Sequence, residues 1–273
     1  MSRARQARRI AVTAVFGGGG VGLVGAGAAA LLAVQARLAR RTIRRVGIAE
    51  PPAADGVYGG GEGPPLRLGL LGDSSAAGLG VHQPADTPGA RLAEGLAAVT
   101  GRPVALRNVA VSGARSADLD RQVDLVLDAD PEVAVIMIGA NDVTHRVPPQ
   151  QAVRALDAAV RRLRGAGAAV VVATCPDLGT VEPIPQPLRW VARRQSRQLA
   201  AAQTIAVVEA GGRSVSLGDV LGPEFAVRKE LFSADGFHPS AEGYAAAATV
   251  LLPSVCAAVG AGGPEDGWTS DVP

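Results

Sequence analysis

Lysine is nearly absent from this chain: 26 of its 27 basic residues are arginine, and the exception is Lys229. Aromatic residues make up only 3% of the sequence, so any core must be built from alanine, leucine and valine. There are two cysteines and three histidines. His82, His145 and His238 show no metal-ligand spacing, no cysteine cluster exists, and the G-x-x-x-x-G-K-[ST] phosphate loop is missing. No cofactor is expected. Cys175 and Cys256 admit either a disulfide in an oxidising compartment or two buried free thiols. With 48% hydrophobic residues the chain is too apolar for disorder, and its 35 glycines follow no three-residue period, which excludes collagen.

Acidic residues are missing from the first 45 positions, which carry nine arginines. The remainder holds 18 basic and 25 acidic residues, a net of −7 within a chain of net charge +2. A nucleic-acid binder would carry its positive charge on the folded domain, so that class of partner is excluded. The arginines instead flank a run without charge. Arg3, Arg5, Arg8 and Arg9 precede Ile10 to Ala36, and Arg37, Arg40, Arg41, Arg44 and Arg45 follow it. That run exceeds the ~20 residues a helix needs to cross a bilayer. Its letters Gly20-Val21-Gly22-Leu23-Val24-Gly25 match a dinucleotide loop, but the acidic ribose ligand expected about 20 positions later is replaced by arginines. A cleaved signal peptide is a second alternative, with A-x-A-like sites at Ala26 to Ala30, although the run is long for one. The preferred reading is a retained membrane anchor over residues 10–36, within a basic N-terminus of residues 1–46. The positive-inside rule gives nearly a tie, and an extracytoplasmic folded domain on a single-pass membrane protein is the chosen orientation.

Residues 47–65 are rich in glycine, proline and alanine and read as a linker. From Leu66 onward apolar strands alternate with helices. Strands are expected at Leu66–Leu71, Val104–Val109, Val133–Ile138, Ala168–Thr174 and Ile205–Glu209. Helices are expected at Pro88–Thr100, Ala117–Leu127, Pro149–Arg164, Leu188–Gln203 and Ala241–Val259. Such alternation predicts a parallel sheet covered on both faces, within a domain of residues 66–260. Residues 261–273 read as a disordered tail.

In such a sheet, reactive groups gather where strand carboxyl ends meet loops. Those loops read Gly72-Asp73-Ser74-Ser75, then Asn108 to Gly113, then Gly139-Ala140-Asn141-Asp142. Before the last helix stands Asp235-Gly236-Phe237-His238-Pro239. Each block alone is an ordinary turn. Together they supply a hydroxyl nucleophile, a base with an acid three residues away, and a polar amide beside a glycine backbone, the parts of acyl transfer.

These four blocks resemble the SGNH (GDSL-type) hydrolase superfamily over about residues 66–260, with Ser75 where the family name has leucine. No G-x-S-x-G elbow surrounds Ser74, which argues against the α/β-hydrolase fold. The resemblance implies a three-layer α/β/α sandwich with a mainly parallel, flavodoxin-like sheet, preceded here by one transmembrane helix. It implies Ser74 as nucleophile, His238 as base and Asp235 as its orienting acid. The oxyanion would meet Ser74, Gly113 and Asn141, while Asp73 and Asp142 hold loops. The expected activity is cleavage of carboxylic esters, of lipids or acylated glycans, through an acyl-enzyme. An acyltransferase using the same intermediate and a non-catalytic binding module stay open as alternatives. The proline-rich segment Pro176–Trp190 is read either as an apolar rim over an acyl chain or as a rigid connection.

Overall fold

The computed structural model describes residues 26–43, 45–47 and 49–261. Six strands form one sheet: β1 (Gly56–Tyr58), β2 (Leu66–Gly72), β3 (Val104–Asn108), β4 (Val133–Met137), β5 (Ala169–Ala173) and β6 (Arg213–Val215). Their order is β1-β3-β2-β4-β5-β6, parallel throughout except for β1, which runs antiparallel along β3. Without that edge strand this is the flavodoxin-like order.

Strand alternation divides the core into two leaflets. Leu66, Leu68, Leu70, Val133, Val135 and Val171 face one side of the sheet, with helices α3 (Pro88–Thr100) and α10 (Ala241–Ala258). Leu71, Ala134, Ile136, Val170 and Val172 face the other, under α4 (Leu119–Leu127), α6 (Pro149–Gly165) and α7 (Leu188–Glu209). With both faces covered, the central strands are continuous apolar runs rather than alternating ones, as the sequence suggested. Alanine does much of the packing: Ala90, Ala93 and Ala97 on α3 and Ala248 on α10 are buried, and small side chains let helix and sheet approach closely.

Two segments differ from expectation. Ile205–Glu209 is not a strand but the last turns of α7, with Ala206 and Val207 buried and Gln203 beneath them. The β-branched run therefore continues a helical apolar stripe, and the chain leaves it only at Gly211-Gly212, before β6. The stretch expected as a linker, residues 47–65, contributes β1 and the buried Ala54, and Asp55 accepts from the Asn108 N–H at 2.7 Å.

The membrane-anchor expectation meets the structure only in part. Residues 10–25 lie outside the described residues, as do residues 262–273 of the expected tail. Residues 26–43 form a helix, α1. Gln35 and Ala39 on it are buried against the α/β domain at 9% and 5% exposure. A transmembrane helix spanning all of 10–36 is thus not supported, because the Gln35 side chain is held in protein rather than lipid. Among the described residues one helix, α10, is long and apolar enough to cross a bilayer, with mean hydropathy 1.3. It is a core helix: Tyr244, Ala247, Leu251 and Val255 are buried under the sheet.

Candidate active site

The strand order reverses between β2 and β4, which opens a crevice at their carboxyl ends. Ser74 follows β2 and Asn141 follows β4, so the first and third blocks flank that crevice. Ser74 is the first residue of the short helix α2 (Ser74–Ala77), capped by Asp73, whose Oδ1 accepts from the Ser75 N–H at 2.9 Å. Gly72 makes the entry possible. Its φ is +140°, and a Cβ there would stand 1.9 Å from the Met137 carbonyl oxygen, so no side chain fits between β2 and β4 at this level.

His238 reaches Ser74 from the turn before α10. Asp235 Oδ1 accepts from the backbone N–H groups of Phe237 (2.8 Å) and His238 (2.9 Å) and from the Ser233 hydroxyl (2.9 Å). One carboxylate oxygen thus folds the turn and leaves the other for the imidazole. His238 Nδ1–H donates to Asp235 Oδ2 at 2.6 Å, and Ser74 Oγ–H donates to Nε2 at 3.0 Å. All three residues are buried. Burial would raise the Asp235 carboxyl, but hydrogen bonds from the His238 ring, the His238 N–H and the Phe237 N–H outweigh it and hold the carboxyl below its usual range. Tyr244 on α10 donates to the Leu79 carbonyl at 2.6 Å and ties the histidine turn to the serine loop.

Gly113 lies in the loop after β3 with φ +86°, exposed and with open space where a side chain would stand. Asn141 belongs to α5 (Ala140–Thr144) and donates one amide hydrogen to the Ala114 carbonyl at 3.1 Å, which fixes the third block to the second. Asp142 accepts from the Ser116 N–H and hydroxyl, the latter at 2.8 Å, and clamps the same two loops. His145 bonds through Nδ1 to the Asn141 carbonyl at 2.9 Å, at the exposed end of α5. Cys175 and Cys256 are both free and buried, so the disulfide alternative falls.

The profile of the "GDSL-like Lipase/Acylhydrolase family" matches residues 70–246, which contain all four blocks. The chain belongs to this family.

Within it, the chain is 46% identical over 239 residues to the "GDSL-like esterase Rv1075c" of Mycobacterium tuberculosis (strain ATCC 25618 / H37Rv), covering 83% of this chain and 76% of that one. The fold is similar to that of TesA, at 22% identity and a TM-score of 0.57 over 70% of this chain and 99% of TesA. It is also similar to the psychrotrophic esterase EstA from Pseudoalteromonas sp., at 20% identity and a TM-score of 0.55 over 69% of this chain and 96% of EstA. This GDSL-type chain is accordingly an SGNH-type ester hydrolase.

Two residues that support the site escaped the sequence reading. Gln122 on α4 is buried and clasps both backbone groups of Gly72: the Gly72 N–H donates to its Oε1 at 2.7 Å, and its Nε2 donates to the Gly72 carbonyl at 2.9 Å. Gln203 on α7 repeats the device two strands away, accepting from the Cys175 N–H at 2.8 Å and donating to the Ile138 carbonyl at 3.2 Å. Strand ends above the last ladder bond have orphaned backbone groups: Gln203 satisfies two of them, and Gln122 satisfies the Gly72 N–H while sharing the Gly72 carbonyl with the Val111 N–H (3.1 Å). The available signal was a glutamine in the apolar stripe Leu119, Gln122, Val123, Val126. Gln122→Leu keeps the volume but orphans the Gly72 N–H. It is expected to cost about 2 kcal/mol in urea unfolding and to loosen Ser74, lowering ester turnover.

Beside Ser74 and His238 lies a partly open, mostly apolar cavity of about 100 Å³. Asp73 and Ser75, on either side of Ser74, line it, as do Phe237 and Pro239, on either side of His238. Phe237 stands edge-on to the imidazole at 4.9 Å between centroids. The far wall comes from the proline-rich segment (Leu178, Val181) and from α9 (Gly222–Val227), where Phe225 packs edge-on against Phe232. The segment Pro176–Trp190 therefore serves as wall and as packing at once.

Proposed function

We propose that this protein is a serine esterase that cleaves carboxylic esters through an acyl-enzyme, with Ser74 as nucleophile, His238 as general base and Asp235 as the group that holds the imidazole tautomer. The observation that carries the proposal is the unbroken line from Ser74 Oγ to His238 Nε2 (3.0 Å) and from Nδ1 to Asp235 Oδ2 (2.6 Å). A serine hydroxyl is a weak nucleophile until a base takes its proton, and a base pinned by a carboxylate on its other nitrogen is poised to do so. The developing oxyanion is met by the N–H groups of Ser74 and Gly113, which have no hydrogen-bond partner among the described residues, and by the second amide hydrogen of Asn141. One such donor is worth roughly 3–4 kcal/mol in the transition state. The substrate is a lipid or an acylated glycan, met at a membrane outside the cytoplasm.

The acyl group is assigned to the cavity beside Ser74. At about 100 Å³ it is smaller than the roughly 150 Å³ that admits benzene, which suits a short acyl chain. The test is hydrolysis of p-nitrophenyl esters of increasing chain length by the full chain, with a fluorophosphonate adduct mapped by mass spectrometry. The adduct is expected on Ser74, with an optimum among short acyl chains. Phe225→Ala is expected to move that optimum to longer chains. An adduct on another residue overturns the assignment of the nucleophile. Turnover that rises several-fold on adding glycerol or a sugar makes the enzyme an acyltransferase.

A further inference from the structure

Helix α1 is bound to the domain along one stripe only. Leu32, Gln35, Ala36, Ala39 and Ile43, at helical spacing, are its buried or half-buried positions. Gln35 is its polar fastener: Nε2 donates to the Gln186 carbonyl at 2.6 Å, and Oε1 accepts from the Leu188 N–H at 3.1 Å. One turn on, Ala39 enters a cluster with Ala140, Leu178, Val181 and Ile184, flanked by Phe232 and Phe237. Arg40 donates to the Thr144 carbonyl at 2.7 Å, at the end of the helix that carries Asn141. Leu178, Val181 and Phe237 also line the cavity beside Ser74, so α1 lies on the outside of the cavity wall.

The opposite face of α1 exposes large apolar side chains beside arginines. Leu31, Val34 and Leu38 are 49%, 52% and 52% exposed, at spacings of three and four residues that align them. Arg37, Arg41 and Arg45 are exposed on the same side, and no acidic residue occurs before Glu50. Helices that lie in a membrane interface bury such apolar side chains at the headgroup boundary, while arginine stems extend their charges to anionic headgroups. The sequence before α1 continues without charge back to Ile10.

We infer that the outer face of α1 docks on an anionic bilayer and thereby lays the wall of the active-site cavity against the membrane, so that the esters this enzyme meets are bilayer-resident. This rests on the esterase reading for its consequence but not for the docking itself. Gln35 and Ala39 fasten the helix to the cavity wall, while Leu31, Val34, Leu38 and the three arginines face the lipid. A simple tether at residues 10–25 would leave the domain free to tumble; docking fixes which end of it faces the lipid.

The experiment uses the full chain with vesicles of phosphatidylcholine, with and without phosphatidylglycerol. A fluorophore is placed at Leu38→Cys, the two native cysteines being buried, and at Val99→Cys, an exposed position at the opposite end of the sheet. Nitroxide lipids are expected to quench the Leu38 label strongly in anionic vesicles and to leave the Val99 label untouched. R37Q/R41Q/R45Q is expected to abolish that quenching, each arginine near an anionic surface being worth about fivefold. The same variant is expected to lower hydrolysis of a vesicle-embedded ester tenfold or more while leaving that of a soluble short-chain ester unchanged. Equal quenching of the Leu38 label in neutral and anionic vesicles, or quenching that survives in the triple variant, would mean a tether without docking and overturn the inference. Failure of the wild type to turn over the soluble ester would strike the esterase reading instead, since quenching is read without catalysis.

Discussion

Ser74→Ala and His238→Ala are each expected to lower kcat/KM for a soluble p-nitrophenyl ester by ~10⁴ or more, and the double variant by no more than either single one. On the proposed mechanism the two residues act as one unit, since the hydroxyl is reactive only while Nε2 accepts its proton, and removing either removes the pair. Asp235→Asn isolates the third member. The asparagine oxygen can still accept from the Phe237 and His238 N–H groups and the Ser233 hydroxyl, so the turn is retained. Its amide then faces Nδ1 as a donor and drives the ring proton onto Nε2, where it blocks the Ser74 hydroxyl. A loss of ~10⁴ in kcat with an unchanged melting curve is the expected signature. Ser74→Ala retaining activity within tenfold of the wild type would remove this serine from the mechanism.

The parts of this site that were legible in sequence are those set by short-range chemistry. A fully buried parallel strand must be a continuous apolar run, and Val133–Met137 is one. Loops at successive strand ends then bring Ser74 and Asn141 together whatever lies between them. His238 was found because the acid three residues before it fits a single turn. What escaped depends on contacts across the fold. Gln122 and Gln203 resemble flaws in their helices until the orphaned groups of Gly72, Ile138 and Cys175 are seen above them. Ile205–Glu209 has strand composition, but Gln203 and Val207 are held one turn apart on α7, and that tertiary packing overrides propensity. The N-terminal run shows the same limit. Twenty-seven uncharged residues look alike to hydropathy, and only Gln186 and Leu188 mark Gln35 as a residue bound in protein.

Asp73→Asn is expected to stabilise the protein at pH 8 and leave it nearly unchanged at pH 4, while slowing catalysis. Burial pushes the Asp73 carboxyl up from its ordinary 3.8 to about 6, against the Ser75 N–H and the nearby His238, which favour its charge, and with Asp142, which opposes it. Below about pH 4 the group is neutral in both folded and unfolded chains and costs nothing. Between about 4 and 6 the unfolded chain releases its proton first, so stability falls as pH rises. Above 6 the folded chain holds a buried carboxylate at a full cost of about 3 kcal/mol. Asparagine caps α2 as well as aspartate does and has no charge to bury, so the gain is expected as several degrees in Tm at pH 8. The same gain at both pH values would show that capping or packing, not ionisation, is responsible. The reason to carry such a charge lies with His238. In the proposed acyl transfer the imidazole takes the Ser74 proton and becomes a cation, and a buried anion within its field lowers the energy of that state. Losing it is expected to lower kcat about tenfold with KM unchanged, because the interaction strengthens only as charge develops. Stability and rate should therefore move in opposite directions at Asp73, whereas at Gln122, which only holds the loop, they should fall together.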